Sequence, residues 1–530
     1  MNYFLISIIP FIMFSYLKTK HSFHMLQQNF YDDDNRYFKW ILANIKKVVF
    51  DTDIIFVILP LLVFFDIRIS RALFASLYMV LVILYMDKMH KFKTKLPLAI
   101  TPRIKRLFFT MALIYFVIII PFILFYDDNN IAYYYTFLGF ITYLNYIVVK
   151  TANVINKPAE KIVYLSFKIK AMKKLKSMNI PVVGITGSYG KTSSKNIVND
   201  ILNVKFNSFA TPKSFNTPYG LIKSINMYLD KFNDIFIAEM GAFKRGEIKQ
   251  NCDLVHPKYG IITTIGEAHL ATFKSRDNIM KGKFELIESL PKDGVAILNM
   301  DDPYQIKYVK EYLKNTCKVL WIGIDNKDAD IYATNIKITK QGTTFDCVFK
   351  DTKKKQTFTT RLLGRHNVYN VLSGIMLGYE LGLTINQLVQ GVSGVKATEH
   401  RLELKKQGIL TIIDDAYNSN PVGAKAALDV LKLMDGTKIV TTPGMIELGD
   451  KQYELNKEFG KQISEVSDYV ILVGKKQTKP IYDGLIENKF SEKKIFILDD
   501  VREAFPLMNR LAKGDTFVLL ENDLPDLFNE

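Results

Sequence analysis

A glycine-rich stretch contains the residue types and spacing best suited to chemistry in this 530-residue sequence. It reads GITGSYGKTSSK, residues 184–195, and it lies between the apolar run IPVV and a segment with helical periodicity. A strand, a tight loop and a helix in that order present backbone N–H groups and a helix N-terminus to phosphate oxygens. The stretch therefore predicts a loop that binds the phosphates of a nucleotide.

The spacing within this loop suggests separate roles for its side chains. Thr186 to Thr192 reads T-G-x-x-G-K-T, which differs from the general G-x-x-x-x-G-K-[ST] pattern. We expect the Lys191 ammonium to pair with the β- and γ-phosphates and the Thr192 hydroxyl to bind Mg²⁺. The predicted cofactors are therefore ATP and Mg²⁺. The loop residues predicted to bind ATP are Thr186, Gly187, Ser188, Tyr189, Gly190, Lys191, Thr192 and Ser193.

The composition argues against several classes of protein. The 70 Lys and Arg residues exceed the 53 Asp and Glu residues, which gives a formal charge of +17 and a pI near 9.3. The three cysteines form no Cys-x-x-Cys pair, so we expect neither a disulfide framework nor a thiolate zinc site, and a reducing compartment fits better. Loops near apolar segments account for part of the basic charge, so we predict no nucleic-acid partner.

Strongly apolar runs are concentrated before residue 150. The runs 107–126 and 131–149 are 20 and 19 residues long and contain no charged residue. Each is long enough to cross a hydrocarbon core of about 30 Å, so we predict an α-helical transmembrane region over residues 1–150 with about five spans. The predicted spans are residues 3–17, 54–65, 72–86, 107–126 and 131–149.

Loop charges predict the orientation of this region. The loop 87–106 contains seven Lys and Arg residues, whereas the loop 127–130 reads DDNN. The positive-inside rule places the first loop in the cytoplasm and the second outside. We therefore expect a multi-pass protein of the cell membrane, with the lipid bilayer as a partner and everything after residue 150 in the cytoplasm, where ATP is available.

Alternating strand-like and helical runs after residue 150 predict two α/β domains. Apolar runs such as PVVGI, DIFIAEM and VAILN alternate with helical stretches, which is typical of a parallel sheet with crossover helices. Short β-type runs over 318–363 predict an antiparallel edge or flap. The predicted segments are a basic connecting helix over 151–177, a central P-loop-type ATP-binding domain over 178–395 and a C-terminal Rossmann-like α/β domain over 396–530.

Seven further sequence blocks occur in an informative order. They are SFNTPYG (214–220), AEMGA (238–242), IGEAHL (265–270), KGKFEL (281–286), GRHNVYN (364–370), EHRLE (399–403) and DDAYNSNP (414–421). Together with the loop, they resemble the blocks of the Mur ligases, which join a carboxylate to an amine using ATP. The resemblance covers most of residues 178–450. The DDAYNSNP and EMGA blocks most resemble the branch that adds D-alanyl-D-alanine to a cell-wall precursor.

The resemblance implies a metal site beside the loop. Glu239, at the end of the strand DIFIAEM, and His269, after IITTIG, match metal ligands of the family and would join Thr192 there. Lys283 matches the lysine that family members carbamylate, which turns an ammonium into a metal-bridging carbamate. The predicted catalytic residues are Lys191, His269, Lys283 and Arg401.

The resemblance also implies contacts to the nucleotide and to the amine. Asn370 would meet the adenine, although Asn367 matches the pattern closely enough to leave the choice open. Arg401 and Asp415 would approach the nucleotide when the domains close, which excludes water from a reactive acyl phosphate. Residues that would shape the amine site rather than do chemistry are Tyr417, Asn418 and Asn420.

Several departures from the family concern substrate recognition. The predicted spans replace the soluble N-terminal domain that grips the uridine-diphosphate sugar. His400 stands where the D-alanyl-D-alanine branch usually has glycine. The C-terminal LLENDLPD stands where a Lys-Gly-Ser type block is expected. The catalytic blocks are therefore intact, while the N-terminal and C-terminal regions that would recognise the substrates differ from the family pattern.

The predicted function is an ATP-dependent amide ligase that works through an acyl phosphate. It would add D-alanyl-D-alanine or a related amine to a carboxylate-bearing cell-wall peptide precursor at the cytoplasmic membrane face, with other cell-wall synthesis proteins as potential partners. An alternative is the same chemistry on another acceptor, such as a γ-glutamyl polymer. A transporter driven by a P-loop domain would have no use for DDAYNSNP, and a non-catalytic scaffold would not need the intact set of Lys191, Glu239, His269 and Lys283.

Overall fold

The described part of the chain separates into two compact units. The computed structural model describes residues 2–32, 36–48, 54–59, 61, 69–91, 97–124, 131–417, 419–446 and 448–523. The division between the units falls between Leu165 and Ser166. The first unit is helical, whereas the second contains both β-sheets. The predicted nucleotide-binding loop belongs to the second unit, together with every other predicted site residue.

Aromatic side chains form much of the interior of the first unit. Phe11, Phe14, Phe56, Tyr78 and Tyr135 belong to one buried cluster, in which the rings of Phe14 and Phe56 stack with their centroids 3.8 Å apart. The described helices are α1 (Asn2–Gln28), α2 (Phe38–Ala43), α3 (Ile45–Val48), α4 (Ile55–Ile58), α5 (Ile69–Lys91), α6 (Pro102–Leu124), α7 (Ile131–Tyr143) and α8 (Asn145–Met178), the last of which continues into the second unit.

Few of the described helices meet the length and hydropathy of a membrane span. Within the ranges described above, Pro102–Pro121 of α6 meets both criteria, with a mean hydropathy of 1.9 and 17% of its residues buried. A second candidate arises if Tyr133–Tyr143 and Asn145–Met178, which are bent by 68° at their junction, count as one broken span. The predicted span 54–65 and the predicted outer loop 127–130 fall wholly or partly outside the described residues. The five-span region therefore remains a proposal.

The first sheet of the second unit has nine strands. Its strands are β1 (Val182–Thr186), β2 (Ser208–Ala210), β3 (Ile235–Glu239), β4 (Tyr259–Ile262), β5 (Val295–Asn299), β6 (Lys318–Gly323), β7 (Ile331–Thr339), β8 (Gly342–Phe349) and β9 (Lys354–Thr360). Their order is β2-β3-β1-β4-β5-β6-β7-β8-β9. Strands β1, β3 and β5 are buried along their whole length, as expected for central strands covered on both faces.

Helices cover this sheet and connect its strands. They are α9 (Lys191–Leu202), α10 (Pro218–Met227), α11 (Glu247–Val255), α12 (Leu270–Phe273), α13 (Arg276–Glu288), α14 (Pro303–Glu311), α15 (Arg365–Glu380) and α16 (Ile385–Gly394). Strands β1 to β7 pair in parallel, and β7, β8 and β9 extend the sheet in antiparallel fashion. The antiparallel edge predicted from residues 318–363 is confirmed, except that β6 still pairs in parallel.

The register of the central strands brings the predicted site residues together. β1 lies between β3 and β4, with Ile185 opposite Glu239 and Thr186 opposite Ile262. The carboxyl ends of these three parallel strands therefore meet at one edge of the sheet, where α/β proteins bind ligands. The glycine-rich loop follows β1 at this edge.

A six-stranded sheet forms the C-terminal part of the second unit. Its strands are β10 (Glu403–Gln407), β11 (Leu410–Asp415), β12 (Thr437–Thr442), β13 (Tyr469–Val473), β14 (Ile495–Leu498) and β15 (Thr516–Glu521). The order is β10-β11-β15-β12-β13-β14, and β10 is antiparallel at the edge. The accompanying helices are α17 (Pro421–Lys432), α18 (Gln452–Ser464), α19 (Lys479–Glu487) and α20 (Ala504–Leu511). The α/β class predicted for the chain after its N-terminal helices is confirmed.

Candidate active site

The glycine-rich loop is packed tightly against the end of β4. A Cβ atom on Gly187 would lie 2.0 Å from Oγ1 of Thr263, and the φ angle of Gly190 is 78°, so both positions favour glycine. The Thr263 hydroxyl donates to the carbonyl of Tyr189 at 2.5 Å. Helix α9 begins directly after Gly190, so its N-terminal N–H groups point into the loop. Thr263 was not singled out from the sequence, because its role depends on the contact between β4 and the loop.

Several loop side chains are engaged within the protein. The Thr186 hydroxyl is fully buried and donates to the carbonyl of Met240 at 2.8 Å. The Ser188 hydroxyl donates to the carbonyl of Gly266 and accepts from its N–H, at 3.2 and 2.9 Å. Burial raises the pKa of Tyr189 to about 12. These contacts fix the shape of the loop, so the backbone of this segment supplies its capacity to bind phosphate.

Lys191 lies at the start of α9 with its ammonium folded over the loop. Its Nζ donates to the carbonyls of Gly187 and Ser188 at 2.8 and 3.1 Å. Burial lowers the pKa of Lys191 to about 8, the carboxylate of Glu239 opposes this shift and the guanidinium of Arg401 adds to it. The charges of Glu239 and Arg401 therefore both act on the ammonium of Lys191.

Glu239 is a buried carboxylate at the end of β3. Its side chain is 1% exposed. Its Oε1 accepts from the Thr192 hydroxyl at 3.1 Å and from the Asn216 amide at 3.0 Å, and its Oε2 lies 3.2 Å from Nζ of Lys195. Sequence reasoning paired Glu239 with Thr192 but missed Asn216 and Lys195, although Asn216 lies in the SFNTPYG block.

The pair formed by Thr192 and Glu239 fits a magnesium ion that also binds phosphate. A hydroxyl and a carboxylate are the oxygen ligands that Mg²⁺ prefers, and nucleotide sites use one or two such side chains beside the phosphates. In the described part of the chain, no three His, Cys, Asp or Glu side chains come together as a metal-binding group. Thr192 and Glu239 would supply two oxygen ligands and leave the other positions of an octahedral Mg²⁺ to phosphate oxygens and water.

The other two predicted metal residues lie in different surroundings. The ring of His269 packs edge-on against Phe243, with the centroids 4.5 Å apart, at the start of α12. Lys283 is 2% exposed on α13, and its Nζ lies 5.5 Å from the centroid of the Phe273 ring. Burial lowers the pKa of Lys283 well below its ordinary value, and the charge of Lys191 lowers it further. Burial therefore disfavours the charged form of the Lys283 amine.

Asn370 is the asparagine nearer to the loop. A Cβ atom on Gly190 would lie 3.4 Å from Oδ1 of Asn370, which belongs to α15. The Asn367 amide instead donates to the carbonyl of Leu363 at 2.8 Å, and its Oδ1 accepts from the Asn370 amide at 3.3 Å. Asn367 thus supports the position of Asn370, which favours Asn370 for the predicted contact with the nucleotide.

Residues beyond α16 reach the same site. The guanidinium of Arg401 lies 4.5 Å from the centroid of the Tyr417 ring, and the Tyr417 hydroxyl makes a short contact with the Ser214 hydroxyl of the first sheet's domain. The Asn196 amide donates to the Thr398 hydroxyl at 3.1 Å. Asn418 lies outside the described residues. Arg401 and Tyr417 therefore lie beside the loop-bearing domain, and the predicted approach of Arg401 and Asp415 to the nucleotide stays a prediction.

Two acidic side chains stand at the ends of neighbouring strands in the second sheet. Asp415 ends β11 and pairs in register with Glu521, which ends β15. Glu521 is fully buried, and its Oε1 accepts from the Ser419 hydroxyl at 2.5 Å. Burial raises the pKa of Asp415 to about 6, with Arg401 opposing the shift, and burial raises the pKa of Glu521 well above its ordinary value. The unusual C-terminal block LLENDLPD therefore places an acidic group beside a predicted nucleotide contact.

The site and both sheets correspond to one family of enzymes. Residues 185–378 match the Mur ligase middle domain, and residues 400–520 match the glutamate ligase domain of the Mur ligases. Together these regions make up more than half of the chain. The chain belongs to the Mur ligase family.

Similar proteins with assigned functions include two ligases from one branch of this family. The UDP-N-acetylmuramoyl-tripeptide–D-alanyl-D-alanine ligase of Bacillus subtilis is 33% identical over 307 residues, which cover 57% of this chain and 64% of that protein. The ligase of the same name from Escherichia coli is 30% identical over 302 residues, which cover 56% of this chain and 64% of that protein. The matched region thus spans slightly less than two thirds of these relatives.

Solved structures of similar fold include MurF enzymes. The MurF ligase of Thermotoga maritima, crystallised in complex with ADP, is 26% identical, with a TM-score of 0.60 over 68% of this chain and 80% of that chain. A crystal structure of MurF from Acinetobacter baumannii shares the fold, with 24% identity and a TM-score of 0.60 over 69% of this chain and 78% of that chain.

We expect the ionised carboxylate of Asp415 to lower the free energy of unfolding at neutral and alkaline pH. Its pKa is raised to about 6 from an ordinary 3.8, so the stability that its protonated form contributes is present below pH 3.8 and is lost as the pH rises through 6. We expect Asp415→Asn to raise the free energy of unfolding at pH 8 by about 1–2 kcal/mol, after allowance for partial exposure, and by much less at pH 4. Chemical denaturation at both pH values measures this difference.

The neighbouring Asp414 provides a matched control with the opposite sign. Burial raises its pKa, but hydrogen bonds from Lys405 and His400, at 2.7 and 2.8 Å, outweigh burial and leave the pKa of Asp414 lowered. Asp414→Asn should therefore destabilise the protein at pH 8. If both substitutions destabilise the protein equally at pH 8, then ionisation of Asp415 does not lower the stability of the folded protein.

Proposed function

We propose that this protein is an ATP-dependent amide ligase that activates a carboxylate as an acyl phosphate. The observation that carries the proposal is the buried Glu239, which accepts a hydrogen bond from Thr192 directly beside Lys191 and the glycine-rich loop. Transfer of a phosphoryl group onto a carboxylate brings two anions together, so fixed positive charge at that point lowers the barrier. Lys191 and Arg401 provide such charge, and Asn370 is the proposed contact for the adenine.

The donor set also supports ATP and Mg²⁺ as cofactors. Thr192 and Glu239 would hold the metal ion, and the T. maritima relative was crystallised with ADP. When bound, Mg²⁺ neutralises charge on the phosphate oxygens. We propose His269 as a further ligand on the strength of the family pattern. The backbone of the loop and the N-terminus of α9 would hold the β- and γ-phosphates.

The proposed substrates are a cell-wall peptide precursor with a free carboxylate and D-alanyl-D-alanine or a related amine. The names of the B. subtilis and E. coli relatives support this choice, as does the DDAYNSNP block. The same chemistry on a γ-glutamyl polymer is the second candidate, because the nucleotide-binding blocks are common to both reactions.

Phosphate release tests the proposal directly. We expect the purified protein to release phosphate from ATP when both a muramoyl-tripeptide precursor and D-alanyl-D-alanine are present, and to form the corresponding amide by mass spectrometry. A panel of other amines and γ-glutamyl acceptors separates the two candidates. Lys191→Ala should lose about 100-fold or more in rate, because the transferred phosphoryl group loses a fixed cation. Near-normal turnover by this variant would contradict the assignment of the ATP site.

Lys283 provides a test of the carbamate that the family pattern implies. An unprotonated amine is the form that reacts with CO₂, and burial lowers the pKa of Lys283 well below its ordinary value. We expect Lys283→Ala to be nearly inactive and to regain part of its rate with millimolar acetate or formate, since a small carboxylate can bridge metal in the vacated space. Lys281→Ala is the matched control, because Lys281 forms an ion pair with Asp277 at 2.8 Å on the same helix. Wild-type activity of Lys283→Ala would make Lys283 a structural residue only.

We further propose that the N-terminal unit attaches the ligase to the cytoplasmic face of the cell membrane. The apolar helix Pro102–Pro121 and the basic loop 87–106 support this proposal. Attachment raises the local concentration of a membrane-bound acceptor without new contacts in the active site. The acceptor would then be lipid-linked, or a soluble precursor would arrive within a membrane-bound assembly of cell-wall synthesis proteins.

A truncated protein that begins near Asn156 tests this attachment. It should bind ADP as the full-length protein does, because the predicted ATP-site residues lie in the second unit. It should retain activity on a soluble precursor and lose much of its activity on a lipid-linked precursor in membranes. Parallel assays of both proteins on both substrates provide the measurement. Equal activity of the two proteins on both substrates would show that the N-terminal unit has no part in substrate delivery.

A further inference from the structure

Lys195 is a buried lysine one helical turn beyond Lys191 in α9. Its side chain is 1% exposed. Its Nζ lies 3.2 Å from Oε2 of Glu239 and donates to the carbonyl of Lys213 at 2.5 Å. An ammonium group is costly to bury unless it is paired and hydrogen-bonded, and here both conditions are met. With two oxygen partners and almost no exposed surface, Lys195 is placed to act on Glu239 rather than on a phosphate.

The contact of Lys195 completes the surroundings of the Glu239 carboxylate. Thr192 and Asn216 both donate to Oε1, so these two residues hold one oxygen. The ammonium of Lys195 lies beside the other oxygen. A carboxylate that is anchored through both oxygens has a fixed orientation, and side chains that orient a metal ligand contribute strongly to metal affinity.

The same lysine also fixes the segment 211–217. Thr211 accepts from the backbone N–H of Glu239 at 3.2 Å, and Asn216 contacts the Glu239 carboxylate from the other end of the segment. Lys195 adds a contact to the middle of the segment, at the carbonyl of Lys213. The next residue, Ser214, contacts Tyr417 of the C-terminal domain. The ammonium of Lys195 therefore joins the carboxylate of Glu239 to a segment that touches the opposite domain.

We propose that Lys195 is a positioning residue, which orients Glu239 for Mg²⁺ and holds the segment 211–217 in place beside it. The inference rests on the proposed function for the roles of Glu239 and Mg²⁺. Without the ammonium, the carboxylate is held through Oε1 alone and the segment loses its central contact. Binding of the metal must then order both. Removal of Lys195 therefore weakens the Mg²⁺-dependent part of nucleotide binding and leaves the metal-independent part unchanged.

Calorimetric titration of ADP into full-length Lys195→Met protein tests the proposal. In the presence of EDTA, we expect the ADP affinity to stay within about twofold of wild type. The Mg²⁺ concentration that half-maximally strengthens ADP binding should rise about tenfold or more. Lys310→Met, which removes an exposed lysine from α14 of the same domain, is the matched control and should behave as wild type. An unchanged Mg²⁺ midpoint would overturn the proposal. A loss of ADP affinity that is as large in EDTA as in Mg²⁺ would also overturn it.

A double-mutant cycle with Glu239→Gln distinguishes positioning from general destabilisation. If Lys195 acts through Glu239, adding Lys195→Met to Glu239→Gln should change the Mg²⁺ midpoint by no more than about twofold. If the double variant instead combines the full midpoint shifts of the two single variants, Lys195 acts independently of Glu239 and the proposal is overturned. If Lys195→Met fails to fold, as judged by thermal melting, Lys195→Gln replaces it. Because glutamine keeps an N–H donor, Lys195→Gln should shift the Mg²⁺ midpoint in the same direction by a smaller amount.

These binding measurements need no acceptor and no amine. A wild-type protein that binds ADP with Mg²⁺ but ligates no amine of the panel would leave the inference about Lys195 intact and contradict the proposed substrates. A wild-type protein that binds no ADP would overturn both. The failure of the inference and the failure of the proposed substrates therefore give different results.

Discussion

The candidate active site depends on compensating the charge of one carboxylate inside the protein. Glu239 is 1% exposed, and a buried charge is costly unless it is paired and hydrogen-bonded. The sheet order solves this problem, because β3 lies next to β1 and therefore next to the helix that follows β1. That helix supplies Thr192 and Lys195 to the two oxygens of the carboxylate. The tight loop, the buried strand and the helix are thus parts of one electrostatic arrangement.

Positive charge accumulates around this carboxylate to an extent that suits a polyanionic ligand. Burial lowers the pKa of Lys191, Lys195 and Lys283, and Arg401 lowers that of Lys191 further. Burial opposes the charged forms of these lysines, and the carboxylates of Glu239, Glu247 and Glu285 offset part of this cost. The negative charges of a bound triphosphate and of a substrate carboxylate would favour the charged forms of these lysines. In the proposed reaction, the positive charge would be in place before the substrates bind, which is how electrostatic catalysis avoids reorganisation during the reaction.

The sequence predicted most of the candidate site residues around the glycine-rich loop, but few of the residues that hold them in position. Glu239 was identifiable because a carboxylate at the end of an apolar strand lies at the ligand-binding edge of an α/β sheet. Lys195 was not, since a lysine in a helix is usually solvated and only the packing of α9 on β3 buries it. The antiparallel edge followed from short β-type runs. The five spans followed from apolar length alone, and length does not distinguish a membrane span from a helix of a bundle.

The family-like blocks around Glu239 and the unusual C-terminal block lie in different domains. The contacts that hold Glu239 come from β3, α9 and the segment 211–217, all within the loop-bearing domain. Glu521 lies instead at the end of β15, beside Asp415 in the second sheet. A change of residue there leaves the surroundings of Glu239 untouched. The contact of Tyr417 with Ser214 joins the two domains at a different place. Residues at the end of β15 can therefore depart from the family pattern while the proposed phosphoryl-transfer site keeps its geometry.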